Sequence, residues 1–334
     1  MTDQPSSHPF TQLDPDTIIN ATESVGLLSD QRILALNSYE NRVYQVGLED
    51  REPVIVKFYR PDRWTDAMIR EEHSFTQELV ENEIPVLAPM QFANETLFEY
   101  KQFRFAVYPR FGGYAPELDN PEHLLQLGRI MARLHNIGAT KNFKVRPELS
   151  IESFVTKPSS YLLENRFIPT ELEESYTSTV AEAIKRIKNC HDLTGNVTKI
   201  RLHGDCHHGN VLTRNDRFYL VDFDDARTGP AVQDIWMFLS GDRQYMTTGL
   251  YDLLEGYTEF RSFSARELHL VEALRTMRLI HYSAWLAQRW DDPAFPYAFP
   301  FFNSQRYWEE QILSLREQTA LMEEEPLNWQ PGYT

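Results

Sequence analysis

The stretch Leu202-His203-Gly204-Asp205-Cys206-His207-His208-Gly209-Asn210-Val211-Leu212 is apolar at both ends and polar in the middle, and Tyr219-Leu220-Val221-Asp222-Phe223-Asp224-Asp225-Ala226 follows it closely. Polar groups framed by strand-like runs sit at strand ends, where a rigid backbone can hold reacting groups in place. Asp205, Asn210 and Asp222 supply carboxylate and amide oxygens and no thiolate. Such a set suits a hard cation such as Mg²⁺, which takes one or two carboxylates together with phosphate oxygens and water. His203, Cys206, His207 and His208 raise a second chemistry, a zinc site. Three clustered histidines with one cysteine lack the two-plus-two spacing of a structural zinc site, so packing inside the loop is the preferred reading. Alone, Asp205 and Asn210 would be turn-capping residues. Asp222 beyond the next strand and Lys57 upstream change that reading.

An Asp followed five positions later by Asn, and then by a second Asp at the end of the next strand, has the interval of a kinase catalytic loop and its metal aspartate. Here His203-Gly204-Asp205 and Asn210 occupy the loop, and Asp222-Phe223-Asp224 stands where D-F-G would. His-Gly-Asp-x-His-x-x-Asn resembles the form found in the aminoglycoside phosphotransferase and choline kinase superfamily, and Leu127-Gly128-Arg129-Ile130-Met131-Ala132-Arg133-Leu134-His135 resembles that superfamily's helix after the hinge. Leu36-Asn37-Ser38-Tyr39-Glu40-Asn41-Arg42-Val43-Tyr44, Val56-Lys57-Phe58-Tyr59-Arg60-Pro61 and Gly229-Pro230-Ala231-Val232-Gln233-Asp234-Ile235-Trp236 are similar to its bacterial serine/threonine protein kinases of stress-response type. The likeness runs over nearly the whole chain, from about Leu13 to Pro326.

The resemblance implies an α+β, bilobal protein-kinase-like fold, with a small β-rich N-lobe and a larger, mainly helical C-lobe. It implies ATP as co-substrate and Mg²⁺ as cofactor. Asp205 would be the catalytic base, Asp222 would serve both catalysis and the metal, and Asn210 would share the metal. The implied acceptors are Ser/Thr hydroxyls of proteins, the chain itself among them. Two alternatives stand beside this: a small-molecule hydroxyl kinase acting on choline, homoserine or an aminoglycoside, and a non-catalytic nucleotide-binding scaffold. Retention of Lys57, Asp205, Asn210 and Asp222 disfavours the scaffold.

These groups need elements to position them. Strand-like runs at 32–36, 41–48 and 53–59 are followed by a helix from about Asp66 to Glu81, with Met68, Phe75 and Leu79 at helical spacing. In Val54-Ile55-Val56-Lys57, Ile55 and Lys57 lie on one strand face. The likeness to V-A-I-K makes Lys57 the ligand of the α/β-phosphates and Ile55 part of the adenine slot. The helix supplies Glu71 and Glu72 to hold the lysine, and Glu72 is favoured, with Glu71 facing away. The loop Asn37-Ser38-Tyr39-Glu40-Asn41 has no glycine, so its smallest residue, Ser38, is assigned the nucleotide contact. Adenine is expected against the backbone near Tyr108 and Arg110. The Pro109-Arg110-Phe111-Gly112-Gly113 break suggests a hinge at 109–114, dividing an N-terminal nucleotide-binding lobe (1–108) from a catalytic lobe (115–334).

Asp14-Pro15 and Asn120-Pro121 read as helix starts, and further helices are expected at 171–190, 231–239 and through much of 250–324. A β island at 200–221 turns at Asn215-Asp216. Asp234 is expected to brace the catalytic loop. The aromatic segment 290–302 is expected to pack as a rigid loop, and Arg275, Arg278 and Arg289 to make surface ion pairs.

Composition narrows the partners. The 334 residues carry 33 Lys+Arg against 49 Asp+Glu, a net charge of −16, which argues against nucleic-acid phosphates as the main partner. Only Cys190 and Cys206 occur, so a disulfide framework is not expected. The first thirty residues carry acids such as Asp3, Asp14, Asp16 and Glu23 and no apolar stretch, and no apolar run reaches the roughly 18 residues of a membrane span. A soluble, cytoplasmic monomer without membrane contact is the expectation.

Overall fold

The computed structural model describes residues 8–330. In chain order the elements are helix α1 (Pro15–Ser24), strands β1 (Ser29–Ala35), β2 (Arg42–Leu48) and β3 (Val54–Phe58), helix α2 (Asp66–Glu81), and strands β4 (Phe98–Tyr100) and β5 (Phe103–Pro109). Helices α3 (Pro121–Gly138), α4 (Lys157–Glu164) and α5 (Thr170–Thr194) come next, then strands β6 (Ile200–Leu202), β7 (Val211–Arg214), β8 (Arg217–Leu220) and β9 (Arg227–Gly229). Helices α6 (Gln233–Trp236), α7 (Arg243–Thr258), α8 (Val271–Ala287), α9 (Ala294–Ala298) and α10 (Gln305–Leu321) complete the chain. The fold is α+β. Two compact units divide it: residues 8–116, 144–146 and 209–225 in the first, and 117–143, 147–208 and 226–330 in the second.

The first unit is built on a five-stranded antiparallel sheet, ordered β1-β2-β3-β5-β4. Strand alternation divides β3 cleanly. Val54, Val56 and Phe58 enter a core shared with Ile18, Val46, Phe103 and Phe105, leaving Ile55 and Lys57 on the opposite face. Asp14 caps α1 by accepting from Thr17 N at 2.7 Å, with Pro15 at the first helical position, as the sequence indicates. Helix α2 has the expected bounds, but its buried stripe differs. Ile69, Glu72, His73, Phe75, Thr76 and Leu79 are buried and Met68 is only half-buried, so two titratable side chains lie on the inward face. Strands β7 and β8 pair around Asn215-Asp216, whose φ values of 51° and 56° are the doubly left-handed turn that matches strand twist. Isolated bridges Val86↔Leu220 and Tyr114↔Thr213 tie this hairpin to its own unit.

In the second unit α3 and α7 pack so closely that glycine is required on both. A Cβ at Gly128 would collide with the Leu253 carbonyl oxygen, and one at Gly256 with that of Leu125. Asn120 caps α3 through Glu122 N at 3.1 Å. The helix expected over 231–239 contracts to Gln233–Trp236. Bonds such as Asp234 N to Ala231 O (3.2 Å) and Leu239 N to Trp236 O (2.9 Å) tighten the flanks into i→i−3 turns. The aromatic segment packs largely as expected: Trp290 meets Phe302 at 4.9 Å and Phe295 meets Trp285 at 5.1 Å, with a short helix, α9, inside it. Tyr297 stands out from this packing, 90% exposed. Among the described residues, no helix is long and apolar enough to cross a membrane.

Candidate active site

Lys57 is the centre of the first unit's charge chemistry. Its ammonium, almost fully buried, donates to Asp222 Oδ1 at 2.8 Å and lies 3.2 Å from Asp224 Oδ1. Burial by itself would depress the lysine, but these two carboxylates outweigh it and raise its pKa well above the ordinary value. The amine therefore stays charged, which is the state a phosphate ligand needs. Glu72, expected as the holding carboxylate, is buried and adds to the field on Lys57, but the direct partners are Asp222 and Asp224. Burial pushes Glu72 up to about 7, and one of its oxygens, Oε2, has no hydrogen-bond partner. A carboxyl raised that far is a weaker anchor for the lysine than the two aspartates in direct contact with it. Glu71, expected to face away from the lysine, accepts three backbone N–H groups, from Lys144 (2.6 Å), Val145 (2.9 Å) and Arg146 (2.8 Å), and so ties segment 144–146 to helix α2.

That segment delivers a second cation. The Arg146 guanidinium donates to the Asp224 carbonyl at 2.6 Å and stacks over Trp64 at 4.4 Å. Arg63 binds the Asp224 carboxylate directly and grips Asp225 with 3.0 Å bonds to both oxygens. Burial would raise Asp224, but Arg63 and Lys57 hold it below the usual carboxylate range. Arg63, Arg146, Asp224 and Asp225 form a largely buried ionic scaffold, its two acids close to Asp222 in the chain, that the residue spacing did not reveal. The only signal was the run of three acids at 222, 224 and 225, which demands nearby cations.

Asp222 leaves β8 with φ of 61°, a left-handed conformation uncommon for a residue other than glycine, and its side chain is half exposed beyond the buried scaffold. Val221 N donates to the Asn210 carbonyl at 3.0 Å, so the backbones leading to Asp222 and Asn210 are joined in the same unit. Two oxygen donors of this kind do not form a closed protein cage. Among the described residues, no cluster of three or more His, Cys, Asp or Glu is arranged to hold a metal by itself. The donor set fits a Mg²⁺ that completes its shell with phosphate oxygens and water. The remaining residues expected to meet a nucleotide lie in the first unit as well. Ser38 donates to Asn41 O at 3.2 Å, in the turn between β1 and β2. Ile55 stands opposite Tyr108 in the β3–β5 register, the Tyr108 hydroxyl meets Tyr59 at 3.1 Å, and Arg110 binds Gln45 at 2.8 Å.

Asp205 belongs to the second unit. It follows Gly204, whose φ of 86° lets the chain turn out of β6. Asp234 clamps that turn: Oδ2 accepts His203 N and Oδ1 accepts Gly204 N, both at 2.8 Å. His135 supports the clamp at 3.3 Å, and Gln233 donates to Gly204 O at 3.0 Å. Burial works to raise Asp234, yet the His135 hydrogen bond and the surrounding donors keep its pKa lowered. Asp234→Ala strands two buried N–H groups, each costing about 1–3 kcal/mol. The expected outcome is a lower melting temperature together with a fall in turnover, read by thermal unfolding and steady-state kinetics. An unchanged melting point with full turnover would remove the bracing role. Cys206 is buried with its Sγ 3.7 Å from Met131 Sδ, and burial pushes the thiol well up, the setting of an inert packed cysteine. Asp205 itself is held by Arg278, expected from sequence to make a surface pair.

A cavity of about 420 Å³ in the second unit, lined by Arg186, Cys190, Arg243 and Met322 among others, contains none of these residues.

A model of the phosphotransferase enzyme family matches residues 32–271. The chain is 42% identical over 328 residues to stress response kinase A of Escherichia coli strain K12, covering 98% of this chain and 99% of the relative. It is 40% identical over 324 residues to serine/threonine protein kinase RdoA of Salmonella typhimurium strain LT2, covering 97% and 98%. Among solved structures it resembles amicoumacin kinase hAmiN in complex with AMP-PNP and Ca²⁺, with a TM-score of 0.74, 17% identity and coverage of 94% and 95%. It also resembles a microcompartment-associated aminopropanol kinase, with a TM-score of 0.70, 16% identity and coverage of 92% and 97%.

Proposed function

Because the chain belongs to the phosphotransferase enzyme family, we propose that this kinase transfers the γ-phosphoryl group of ATP to Ser/Thr hydroxyls of proteins, in a stress-response role, with Mg²⁺ as cofactor. One observation carries the protein-acceptor reading. The relatives at 40–42% identity over nearly both full lengths are named as serine/threonine and stress response kinases, whereas the small-molecule kinases share the fold at 16–17% identity.

The chain's own groups suit the reaction. Phosphoryl transfer passes through a loose transition state, so positioning and charge neutralisation supply most of the catalysis. Lys57, kept cationic by Asp222 and Asp224, binds the α/β-phosphates. Ser38 contacts the nucleotide from the β1–β2 turn, Ile55 flanks the adenine, and the backbone near Tyr108 and Arg110 pairs with it. Asn210 and Asp222 would hold Mg²⁺, whose charge offsets that of the triphosphate when bound. Asp205, fixed by the Asp234 clamp and Arg278, accepts the proton of the attacking hydroxyl. Thr228, the only hydroxyl between Asp222 and Asp234, has its backbone paired with Pro147 and Leu149, which suits an enzyme competent without a phosphorylated switch segment.

The test is transfer of labelled phosphate from ATP with Mg²⁺ to the protein alone, to a generic protein substrate, and to choline, homoserine and an aminoglycoside. Label on itself or on the protein substrate is expected. Label confined to a small molecule would move the enzyme to the alternative class.

A further inference from the structure

We propose that Arg278 selects the acceptor, favouring hydroxyls flanked by an acidic residue and disfavouring those flanked by a positive charge. The inference rests on the transferase reading above and deepens it to the substrate class. Arg278 lies on α8, and its Nη1 donates to Asp205 Oδ1. The other carboxylate oxygen, Oδ2, lies 3.6 Å from His207 Nε2. A guanidinium carries five N–H donors in a rigid fork. Asp205 takes one of them, and the Arg278 side chain remains 41% exposed.

Its neighbours on the helix are otherwise engaged. Arg275, one turn earlier, lies 3.2 Å from Glu272 and over Trp236 at 5.2 Å. His281, one turn later, stacks on Phe154 at 4.4 Å, and the Arg227 guanidinium covers the same ring at 4.7 Å. Asp205 is the ion-pair partner the structure records for Arg278 among the described residues.

The chemistry follows from geometry. A hydroxyl that gives its proton to Asp205 must come within roughly 2.6–3.2 Å of that carboxylate. Arg278 grips the same carboxylate, so whatever flanks the hydroxyl lies within a few ångströms of the guanidinium. A carboxylate there can take a two-point bond from the fork, while an ammonium meets like charge at short range. The net charge of −16 pulls the other way, steering cationic partners toward the protein. That field is screened beyond about 8 Å at physiological salt, so at contact distance the guanidinium decides.

The experiment compares kcat/KM for a matched set of serine peptides flanked by Glu, Gln or Lys, using the full-length protein with ATP and Mg²⁺. Wild type is expected to prefer the Glu peptide over the Lys peptide by roughly tenfold or more. Arg278→Gln should erase most of that ratio, Arg278→Lys should keep part of it, and Arg278→Glu should invert it. General loss of activity moves all three peptides together, so the ratio separates acceptor selection from mere support of Asp205. Equal use of the three peptides by wild type, or the same ratio in wild type and Arg278→Glu, overturns the inference and leaves protein phosphorylation standing. Glycerate and choline, assayed alongside, cover the other failure. Label on glycerate and on no peptide refutes the protein-acceptor reading while keeping Arg278's preference. Label on choline alone refutes both.

Discussion

Asp205→Asn is expected to lower kcat by about 10²–10⁴-fold, the share a positioned general base contributes, with Mg·ATP affinity within about twofold of wild type. The substitution is nearly isosteric, and the amide oxygen can still accept from Arg278. What it cannot do is take the hydroxyl proton. The groups proposed to bind the nucleotide, Lys57, Asn210 and Asp222, belong to the other compact unit, so nucleotide binding is expected to survive the change. Single-turnover transfer measures the chemical step and calorimetry measures the nucleotide. Turnover near wild type would remove Asp205 from the base role. Unchanged turnover with weakened nucleotide binding would recast it as a binding residue.

Asp222→Ala should weaken Mg-dependent nucleotide binding by roughly 10²-fold or more, because Mg²⁺ relies on so few protein oxygens. The side chain has two separable duties. It faces outward as a candidate metal ligand, and it is the shortest ion-pair partner of buried Lys57. Asp224, 3.2 Å from the same ammonium, keeps the lysine from being stranded, so a folded protein is expected. Asp222→Asn distinguishes charge from backbone strain, since Asn tolerates the left-handed φ of 61° far better than Ala. Calorimetry with and without Mg²⁺ reads the result. If both variants lose the metal-dependent part of the affinity and retain the metal-free part, the metal role stands. Unchanged Mg·ATP affinity in both excludes it.

Much of the scaffold was legible because its causes are local. Asp14-Pro15 and Asn120-Pro121 cap helices through contacts two or three residues away. Asn215-Asp216 makes a hairpin because both residues accept positive φ. Alternation in β3 separates three core residues from Ile55 and Lys57, and that period is a property of any strand. The helix expected over 231–239 shortened for the opposite reason. Asp234 turns inward to bind two backbone N–H groups some thirty residues earlier, and Val232 N is held by Glu267, contacts that no local propensity contains.

The site divides along the same line. Residue order alone determined which oxygens are proposed for phosphate chemistry: an Asp, an Asn five positions later and an Asp beyond the hairpin that follows, with a lysine on the sheet face opposite the core. Those are intervals, and intervals survive in one dimension. Only tertiary packing decided who neutralises whom. Lys57 found its partners 165 and 167 positions away rather than on the nearest helix, Arg63 reached Asp224 across 161, and Arg278 reached Asp205 across 73. A charge removed from water is stable only against whichever opposite charge the packing leaves within bonding distance. That distance is set by how helices and strands stack, which the spacing of residues along the chain does not encode.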